Sequence, residues 1–494
     1  MKWILSLDEG TSSARAALYD KQGVRQAMVS REIVSQFPRQ GWVEQDAEEL
    51  WQAQLEVTRQ ALEQKSVAGS DVAAIGITNQ RETLVVWDRK TGVPVFPAIV
   101  WQCRRTGDIC AKLNASADRD WMIERTGLVI DPYFSGTKLR WLLDHVPDAQ
   151  SRAENGELLF GTIDTWLIWK LTGGRVHVTD ETNASRTLLM NLESGEWDDD
   201  LLRVLNVPRA MLPRIAKSSE ILADTSGDLF GAEIPIAGIA GDQQAALAGQ
   251  ACFEPGMSKN TYGTGCFCLL HTGEKLVHSK NRLLTTRAAS LGGEKVFAME
   301  GSVFVAGAAI QWLRDSLKLI PSAPASQAIA ESVPDTAGVY FVPAFVGLGA
   351  PHWDSEARGV ISGLTRGATS AHLVRAALES IAYQSRELVD AQQADAGTPI
   401  TEMRVDGGAA QNDFLMQFQA DILGCRIVRP ADTETTALGA AYLAGLAVGY
   451  WDSAAEIASF WKAERVFEPA IGDNERNQLF AGWQDAVERA KGRA

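Results

Sequence analysis

The 494-residue sequence lacks several features that mark common classes of protein. Its six cysteines include no CxxC pair and its six histidines are scattered, so neither a zinc site nor a disulfide framework is indicated. No apolar run approaches the ~20 residues of a membrane-spanning helix. The short apolar run near the start ends at Asp8 and Glu9, which excludes a signal-peptide core. We therefore expect a cytoplasmic protein without membrane insertion.

An excess of positive charge is also absent. The formal net charge is −15, so nucleic acid and anionic membranes would repel the chain. Hydrophobic residues make up 46% of the sequence and charged residues 22%, which is ordinary for a folded protein of more than one domain. This composition favours a small-molecule ligand and no nucleic-acid partner.

The common phosphate-binding and hydrolase motifs are missing as well. The chain contains no GxxxxGK[ST] loop, no GxGxxG, no HRD or DFG set and no GxSxG. Phosphate chemistry in this protein would therefore need a fold other than the P-loop or protein-kinase folds.

Strand-like apolar runs ending in Asp or Gly are present, and segments with helical spacing separate them. The runs include WILSLDEG, VAAIGITNQRE, IPIAGIAGD and MRVDGGA, and the helical segments include DAEELWQAQLEVTRQALEQ and AHLVRAALESIAYQSRELVDAQQA. This mixture predicts an α/β fold. The small, apolar stretch TALGAAYLAGLAVGYW predicts a closely packed core helix.

The opening run ILSLDEGTSSARAALYD predicts a β-hairpin with Asp8 at the end of its first strand. Backbone N–H groups and hydroxyls of residues 10–13 can hold phosphate oxygens, and Asp8 can hold Mg²⁺. An ordinary solvated turn is the alternative. The run SKNTYGTGCFCLL repeats the strand, Gly-Thr turn and strand, so either the chain is internally duplicated, with a second half starting near residue 250, or the likeness is chance.

Two further strand ends carry candidate residues. Asp242 in IAGDQQAALAGQ follows a strand, where ligands gather in open α/β sheets, although Asp is also a common N-cap. In RVDGGAAQNDFL, Gly407 and Gly408 let a base or sugar approach the backbone, and Asn412 can hydrogen-bond or cap the next helix. Asp8 and Asp242 in one cleft would suit a metal holder and a catalytic base.

Paired charges and aromatic residues follow other apolar runs. They lie in NQRETLVVW, IVWQCRRT and VIDPYFSGTKLRWLL, and comprise Arg81, Glu82, Trp101, Arg104, Arg105 and Tyr133. A polyol needs charged groups for its hydroxyls and aromatic faces for its carbons. Surface salt bridges and core aromatics are the alternative explanation.

Together, these stretches resemble the FGGY family of carbohydrate kinases, in particular its glycerol-phosphorylating members. The resemblance runs along nearly the whole chain and includes other stretches, such as GTIDTWLIWKLTGGRVHVTDETNASRT and GLTRGATSAHLVRAALESIAYQ. The resemblance implies an α/β fold of two actin-like, ribonuclease-H-like domains with the active site in the cleft between them. It places a polyol- and phosphate-binding domain at residues 1–250 and a nucleotide-binding domain at residues 251–494. It also implies ATP-dependent phosphorylation of glycerol with Mg²⁺, the first step of glycerol catabolism, and a homo-oligomer, dimer or tetramer.

The resemblance also implies roles for individual residues. Asp8 would lie beside Mg²⁺, and Asp242 would be the general base. The nucleotide phosphates would be surrounded by Thr11, Ser12, Ser13 and Arg15, and the nucleotide would contact Thr264, Gly307, Gln311, Gly408 and Asn412. Glycerol hydroxyls would bind Arg81, Glu82, Tyr133, Asp242 and Gln243, and the apolar wall would be Trp101 and Phe267.

Two positions depart from the family pattern. Glu9 stands where the family often has Gln, and Ala14 interrupts a hydroxyl run, so one charge is added and one hydroxyl is lost near the turn. Nucleotide affinity would then differ from the family norm unless Glu9 points away. A pentulose or another polyol is the competing acceptor, and an ATPase without an acceptor is the competing class on the same fold.

Overall fold

The computed structural model describes residues 2–354 and 356–492. In the N-terminal half the strands are β1 (Trp3–Glu9), β2 (Ser13–Tyr19), β3 (Arg25–Glu32), β4 (Glu44–Gln45), β5 (Val72–Asn79), β6 (Leu84–Asp88), β7 (Ala98–Ile99), β8 (Leu158–Thr162), β9 (Val178–Asp180), β10 (Met190–Asn191), β11 (Glu196–Trp197), β12 (Arg214–Ala216), β13 (Ser219–Asp224) and β14 (Pro235–Gly241). The helices there are α1 (Ala47–Gln64), α2 (Gly107–Asn114), α3 (Arg119–Thr126), α4 (Ser135–His145), α5 (Ala149–Glu154), α6 (Ile163–Leu171), α7 (Glu181–Ala184), α8 (Asp199–Val204), α9 (Gly227–Phe230) and α10 (Asp242–Gly249).

The C-terminal half continues the same mixture, which confirms the predicted α/β class. Its strands are β15 (Ser258–Tyr262), β16 (Cys266–Gly273), β17 (Leu284–Arg287), β18 (Phe297–Val303), β19 (Tyr340–Val342), β20 (Val360–Ser362), β21 (Glu402–Asp406), β22 (Arg426–Pro430) and β23 (Ala463–Phe467). Its helices are α11 (Gly307–Asp315), α12 (Ala325–Glu331), α13 (Ser370–Ala396), α14 (Asp413–Leu423), α15 (Thr435–Ala447), α16 (Ala454–Phe460) and α17 (Asp473–Ala490).

Two large sheets share the same pattern of parallel and antiparallel pairing over six strands. The six-stranded sheet has the order β13-β14-β5-β1-β2-β3, and the seven-stranded sheet, in the matching direction, has the order β23-β22-β21-β15-β16-β18-β17. In each sheet a hairpin strand pairs antiparallel with its successor and parallel with the strand on its other side. This repeated pairing pattern favours an internal duplication over chance likeness of the two Gly-Thr turns. We call the elements around the six-stranded sheet the first lobe and those around the seven-stranded sheet the second lobe.

Strand β1 is buried on both faces, as a central strand covered by helices must be. Leu5 and Leu7 pack in one apolar cluster with residues of α1, whereas Ile4 packs with residues of α15. Because side chains alternate along a strand, Glu9 shares the α1 side with Leu7, and Asp8 lies on the opposite face.

Helix α15 is the predicted core helix, and it lies on the sheet of the first lobe. Its small residues allow very close packing, since a Cβ atom added at Gly439 would lie 1.8 Å from the carbonyl oxygen of Ala245 in α10. A segment beyond residue 250 therefore completes the core of the first lobe. The predicted boundary near residue 250 stays a prediction.

A smaller four-stranded sheet of order β4-β7-β6-β8 extends the first lobe and carries the segments around Trp101 and Tyr133. Among residues 2–354 and 356–492, no helix combines the length and apolarity that crossing a membrane requires.

Candidate active site

Three parallel strands of the first lobe end at one edge of the sheet. In the strand register, Asp8 on β1 lies beside Thr78 on β5, and Gly241 on β14 lies beside Asn79. The residues that follow these ends therefore meet, as expected at the carboxyl ends of parallel strands. Arg81 Nε lies 3.1 Å from an Asp242 carboxylate oxygen.

A buried charge cluster surrounds Arg81. Its Nη1 and Nη2 atoms donate to the two carboxylate oxygens of Glu300 at 2.6 and 3.0 Å. Arg186 donates from Nη2 to Glu300 at 3.0 Å and from Nε to Glu82 at 2.5 Å. Burial alone would raise the pKa of Glu300, but Arg186 and Arg81 outweigh it and lower that pKa to about 2.

Arg81, Glu82 and Asp242 were predicted from the sequence, whereas Arg186 and Glu300 were not. A single acid inside the apolar run VFAMEGSV was the available signal for Glu300, and Arg186 lies in ETNASRT. Buried charges are rarely tolerated without partners. Neither stretch indicates which partner it has, because Glu300 comes from β18 of the second lobe and Arg81 from the first.

The two arginines after Trp101 form salt bridges within the first lobe, as the alternative explanation of this segment predicted. Arg104 pairs with Asp131 at 2.6 Å, and Arg105 pairs with Glu44 at 2.7 Å. Arg105 also stacks over Trp42, with its guanidinium carbon 4.0 Å from the ring centroid. Arg105, whose side chain is buried, therefore serves the packing of the first lobe, whereas Arg104 forms an exposed surface salt bridge.

Trp101 and Tyr133 form an aromatic pair near the charge cluster, with ring centroids 5.5 Å apart. The guanidinium carbon of Arg186 lies 5.3 Å from the Tyr133 ring. Lys138, buried on α4, donates to the Tyr133 carbonyl and, at 3.3 Å, to the Phe134 carbonyl. Burial lowers the pKa of Lys138 to about 8. This lysine holds the turn that presents Tyr133.

Phe267 lies on β16, in register with Thr261 on β15 and Ser302 on β18. It packs against a cluster that contains Leu247 and Leu269, whereas Trp101 packs against the cluster of the small sheet. A wall shared by Phe267 and Trp101 therefore stays a prediction.

Gln243 is the second residue of α10, after Asp242, and its side-chain oxygen accepts a hydrogen bond from Lys259 Nζ. Lys259 comes from β15 of the second lobe, is fully buried and also donates to Thr261 at 2.7 Å. Burial lowers the pKa of Lys259, against the opposing effect of Asp406 and Asp242. Lys259 was not predicted, since nothing in SKNTYG distinguishes it from a surface lysine.

The predicted hairpin is formed by β1 and β2, and a Gly10 N–H to Ser13 carbonyl hydrogen bond of 3.0 Å closes its turn. Residues 10–12, the β1–β2 turn, are followed by Ser13 in β2. Ser12 is exposed, while Thr11 and Ser13 are half-buried. Arg15 donates to the Ser13 hydroxyl at 3.2 Å and to Glu434 at 3.0 Å.

The Asp8 carboxyl is buried, and little positive charge lies near it. Burial raises its pKa to about 7, Arg15 at 3.7 Å opposes this rise, and Asp242 adds to it. A divalent cation would supply the missing positive charge. Among the described residues, no group of three or more His, Cys, Asp or Glu side chains is arranged to hold a metal ion. Because Mg²⁺ needs only one or two protein carboxylates, the buried Asp8 carboxyl still fits as its protein ligand, and phosphate and water would supply the other ligands.

Glu9 is fully buried on the opposite face of β1 from Asp8. Neither of its carboxyl oxygens has a hydrogen-bond partner in the described part of the chain. Burial, together with Asp8, raises the pKa of Glu9 well above its ordinary value, which favours the uncharged form. Glu9 therefore points away from the turn and adds no exposed charge to it.

In the second lobe, the turn at residues 263–265 packs on the start of α11. The Thr264 carbonyl accepts from Ala306 at 2.9 Å, and Gly307 N–H donates to Gly263 at 3.0 Å. A Cβ atom at Gly307 would lie 2.5 Å from the Gly263 carbonyl oxygen, so this approach needs glycine. Thr264 and Gln311 are both exposed here.

Gly408 and Asn412 lie at the neighbouring strand end, because β21 pairs with β15. Gly408 is exposed. The Asn412 side-chain oxygen accepts from Leu415 N–H at 3.0 Å and caps α14, and its amide donates to Ser326 at 3.3 Å. Capping by Asn412 is thereby confirmed, and its contact with a nucleotide stays a prediction.

Comparison with known proteins gives the relationship of this chain. The N-terminal domain of the FGGY family of carbohydrate kinases matches residues 3–249, and the C-terminal domain of that family matches residues 258–448. Glycerol kinase 2 of Thermotoga maritima is 58% identical over 492 residues, which cover 100% of this chain and 99% of that protein. Glycerol kinase of Deinococcus radiodurans is 56% identical over 490 residues, covering 99% of this chain and 98% of that protein.

A solved structure shows the same architecture. The crystal structure of Plasmodium falciparum glycerol kinase with ADP matches with a TM-score of 0.94 and 36% identity, covering 100% of this chain and 99% of that one. The predicted fold of two actin-like, ribonuclease-H-like domains is confirmed. Since both family domains match in order and the relatives align along their whole length, the chain belongs to the FGGY family of carbohydrate kinases.

Proposed function

We propose that the protein transfers the γ-phosphoryl group of ATP to a terminal hydroxyl of glycerol, giving sn-glycerol 3-phosphate and ADP. The names of its relatives support this proposal, and one structural observation carries it. The Asp242 side chain is 32% exposed, while Arg81 beside it is 2% exposed. Asp242 is thus the accessible member of a buried charge cluster, at the strand edge that also holds Asp8.

Asp242 acts as the general base in this proposal. One of its carboxylate oxygens is occupied, since it faces Arg81 Nε at 3.1 Å and accepts from the Gln243 N–H at 2.7 Å. The other oxygen has no partner in the described part of the chain, so it is available to accept the hydroxyl proton. Positioning dominates phosphoryl transfer, and a carboxylate held at one oxygen has a defined direction.

The acceptor pocket consists of the side chains proposed to contact glycerol. They are Arg81, Glu82, Trp101, Tyr133, Asp242, Gln243 and Phe267. The guanidinium, carboxylate, phenol and amide groups bind the hydroxyls, and the two apolar rings lie against the carbons. Arg186 contacts one Glu82 oxygen at 2.5 Å and leaves the other without a partner in the described chain.

The nucleotide side uses both hairpin turns. We assign the phosphates to Thr11, Ser12, Ser13 and Arg15, and the rest of the nucleotide to Thr264, Gly307, Gln311, Gly408 and Asn412. Asp8 would hold Mg²⁺, which when bound neutralises negative charge on the phosphates. Because Glu9 faces away, the β1–β2 turn keeps its hydroxyls and N–H groups for the ligand.

We further propose that this reaction is the first step of glycerol catabolism and takes place in the cytoplasm. The six cysteines are all buried and unpaired, as expected in a reducing compartment. A homo-oligomer, dimer or tetramer, stays our expectation.

The test is the initial rate with MgATP and a panel of glycerol, dihydroxyacetone, xylulose, ribulose and no acceptor. Strong preference for glycerol supports the proposal. Activity mainly on a pentulose would overturn the acceptor assignment, and ATP hydrolysis that is independent of any acceptor would overturn phosphoryl transfer to a polyol.

A further inference from the structure

Glu300 belongs to the second lobe, yet its carboxylate accepts hydrogen bonds from Arg81 of the acceptor pocket and from Arg186 behind it. We propose that Glu300 is a positioning residue that sets Arg81 and Arg186, so that the acceptor pocket is incomplete without the second lobe. This inference rests on the proposed function only in taking Arg81 as a residue that binds the acceptor.

The placement of Glu300 on β18 is unusual for an acid. In the strand register it lies between Leu269 on β16 and Leu284 on β17, and its side chain is fully buried. An ionised carboxylate is held there only if its oxygens receive strong hydrogen bonds. Arg81 and Arg186 supply three, and all three cross from the first lobe.

These contacts determine which edge of Arg81 faces the pocket. Glu300 takes one hydrogen from each terminal nitrogen of Arg81, and the side-chain oxygen of Gln244 takes another from Nη1 at 3.2 Å. Nε is left facing Asp242, and one Nη2 hydrogen has no partner in the described chain. A guanidinium has five donors in a fixed plane, so fixing its terminal nitrogens fixes the direction of the remaining ones.

Without the Glu300 carboxylate, Arg81 has another anion within reach. Asp242 lies 3.1 Å from Nε, and arginine favours two parallel hydrogen bonds to one carboxylate. Rotation of Arg81 onto Asp242 would occupy the oxygen that is free to accept the proton. Arg186 would also lose its 3.0 Å hydrogen bond to Glu300, and with it one of the carboxylates that offset its repulsion by Arg81.

A purely structural ion pair makes a different prediction. It would change the stability of the protein but would not discriminate between its two substrates. The positioning role predicts a selective effect, because Glu300 contacts Arg81 of the acceptor pocket and Arg186, which holds Glu82 of that pocket, and none of the residues assigned to the nucleotide.

The experiment compares Glu300→Gln, Glu300→Asp and a matched control, Glu379→Gln. Glu379 is another buried acid of the second lobe, paired with Arg375 at 2.8 Å, and its charged neighbours all lie in that lobe. We expect Glu300→Gln to raise the acceptor KM about tenfold or more and to lower kcat, with the ATP KM changed less than about twofold. Glu379→Gln should leave both KM values unchanged.

Each variant is assayed with the acceptor that the wild-type enzyme prefers in the panel. A pentulose preference would therefore refute the glycerol assignment and still leave the Glu300 comparison decisive. Equal changes in the two KM values, or no change in the acceptor KM, would overturn the positioning role.

Glu300→Asp covers the case in which Glu300→Gln does not fold. Asp keeps the charge but is one methylene shorter, so it cannot reach both arginines with the same geometry. We expect a folded enzyme with a lower thermal unfolding midpoint than the wild type, because the buried charges are less well paired, and a raised acceptor KM. A folded Glu300→Asp enzyme with a wild-type acceptor KM would refute the proposal.

Discussion

The indole N–H of Trp101 donates a 2.8 Å hydrogen bond to the hydroxyl of Thr11. Thr11 belongs to the β1–β2 turn, which we assign to the phosphates, and Trp101 to the acceptor pocket. The Trp101 backbone is also held, since its N–H donates to the Thr83 hydroxyl at 3.1 Å. One side chain therefore joins the two substrate sites, and a change at Trp101 should be felt in both.

Trp101→Phe tests this connection. The ring near Tyr133 is kept, but the donor to Thr11 is lost, and a hydrogen bond of this kind contributes about 1 kcal/mol, or about fivefold in affinity. We expect the KM for ATP to rise about fivefold along with the KM for glycerol. The control is Trp121→Phe, which removes an indole hydrogen bond of 3.0 Å to Asp118 on the surface helix α3. An unchanged ATP KM in Trp101→Phe would show that the turn is set by other contacts.

Glu9→Gln tests whether the extra acid matters for the nucleotide. Glu9 is buried away from the turn, and its raised pKa favours the neutral carboxyl, which glutamine matches in shape. We expect steady-state kinetics to give kcat and ATP KM within about twofold of wild type, since no charge is removed from the site. A much lower ATP KM in the variant would mean that Glu9 repels the phosphates.

Gly439→Ala tests the close packing of α15 on α10. The added methyl group would lie 1.8 Å from the Ala245 carbonyl oxygen, so the helices must separate. Overpacking of this kind costs about 1–3 kcal/mol, and we expect a lower free energy of unfolding in chemical denaturation. Gly107→Ala is the control, because a Cβ there meets no atom within 4 Å at the start of α2. Wild-type stability of Gly439→Ala would contradict the packing described here.

Asp164 should make the protein less stable as pH rises. It is buried at the start of α6 and accepts from Thr162 at 2.5 Å and Thr179 at 2.7 Å. Burial, with a contribution from Asp180, raises its pKa from 3.8 to about 7. Between these values the unfolded chain releases a proton that the folded chain keeps, so stability falls by up to about 4 kcal/mol as pH rises.

Asp164→Asn removes this loss. Denaturation at about pH 5 and about pH 8 should show the variant gaining stability relative to wild type at the higher pH. Asp198→Asn is the control. The hydrogen bonds to Asp198 outweigh its burial and lower its pKa, so its contribution to the free energy of unfolding is lost only at acid pH and is the same at both pH values tested. If the free energies of unfolding of wild type and Asp164→Asn differed by the same amount at both pH values, the pKa of Asp164 would not be raised in the folded protein.

The parts of the site that the sequence predicted share a local signature. An apolar strand that ends in a polar residue or glycine is a pattern of fewer than about ten consecutive residues. This pattern located Asp8, Asp242 and the glycines after β21. The repeated Gly-Thr hairpin is equally local. Asn412 shows the limit of such patterns, since the same residue type suits a helix cap and a ligand contact, and the structure shows the cap.

The parts that were missed depend on pairing between distant residues. Glu300 contacts Arg81, which is 219 residues away, and no local pattern encodes that partner. Lys259 differs from a surface lysine only through the burial that the second sheet imposes. The small residues of α15 predicted close packing, but they fit any neighbouring backbone and so did not indicate which sheet the helix covers.

We propose above that Asp242 accepts the proton of the glycerol hydroxyl. The most direct measurement is kcat for Asp242→Asn beside the glycerol dissociation constant of the same variant by calorimetry. We expect kcat to fall by about 10²–10⁴-fold or more, while glycerol binding stays measurable because the other pocket residues are intact. A near-normal kcat in Asp242→Asn would show that Asp242 is not the general base.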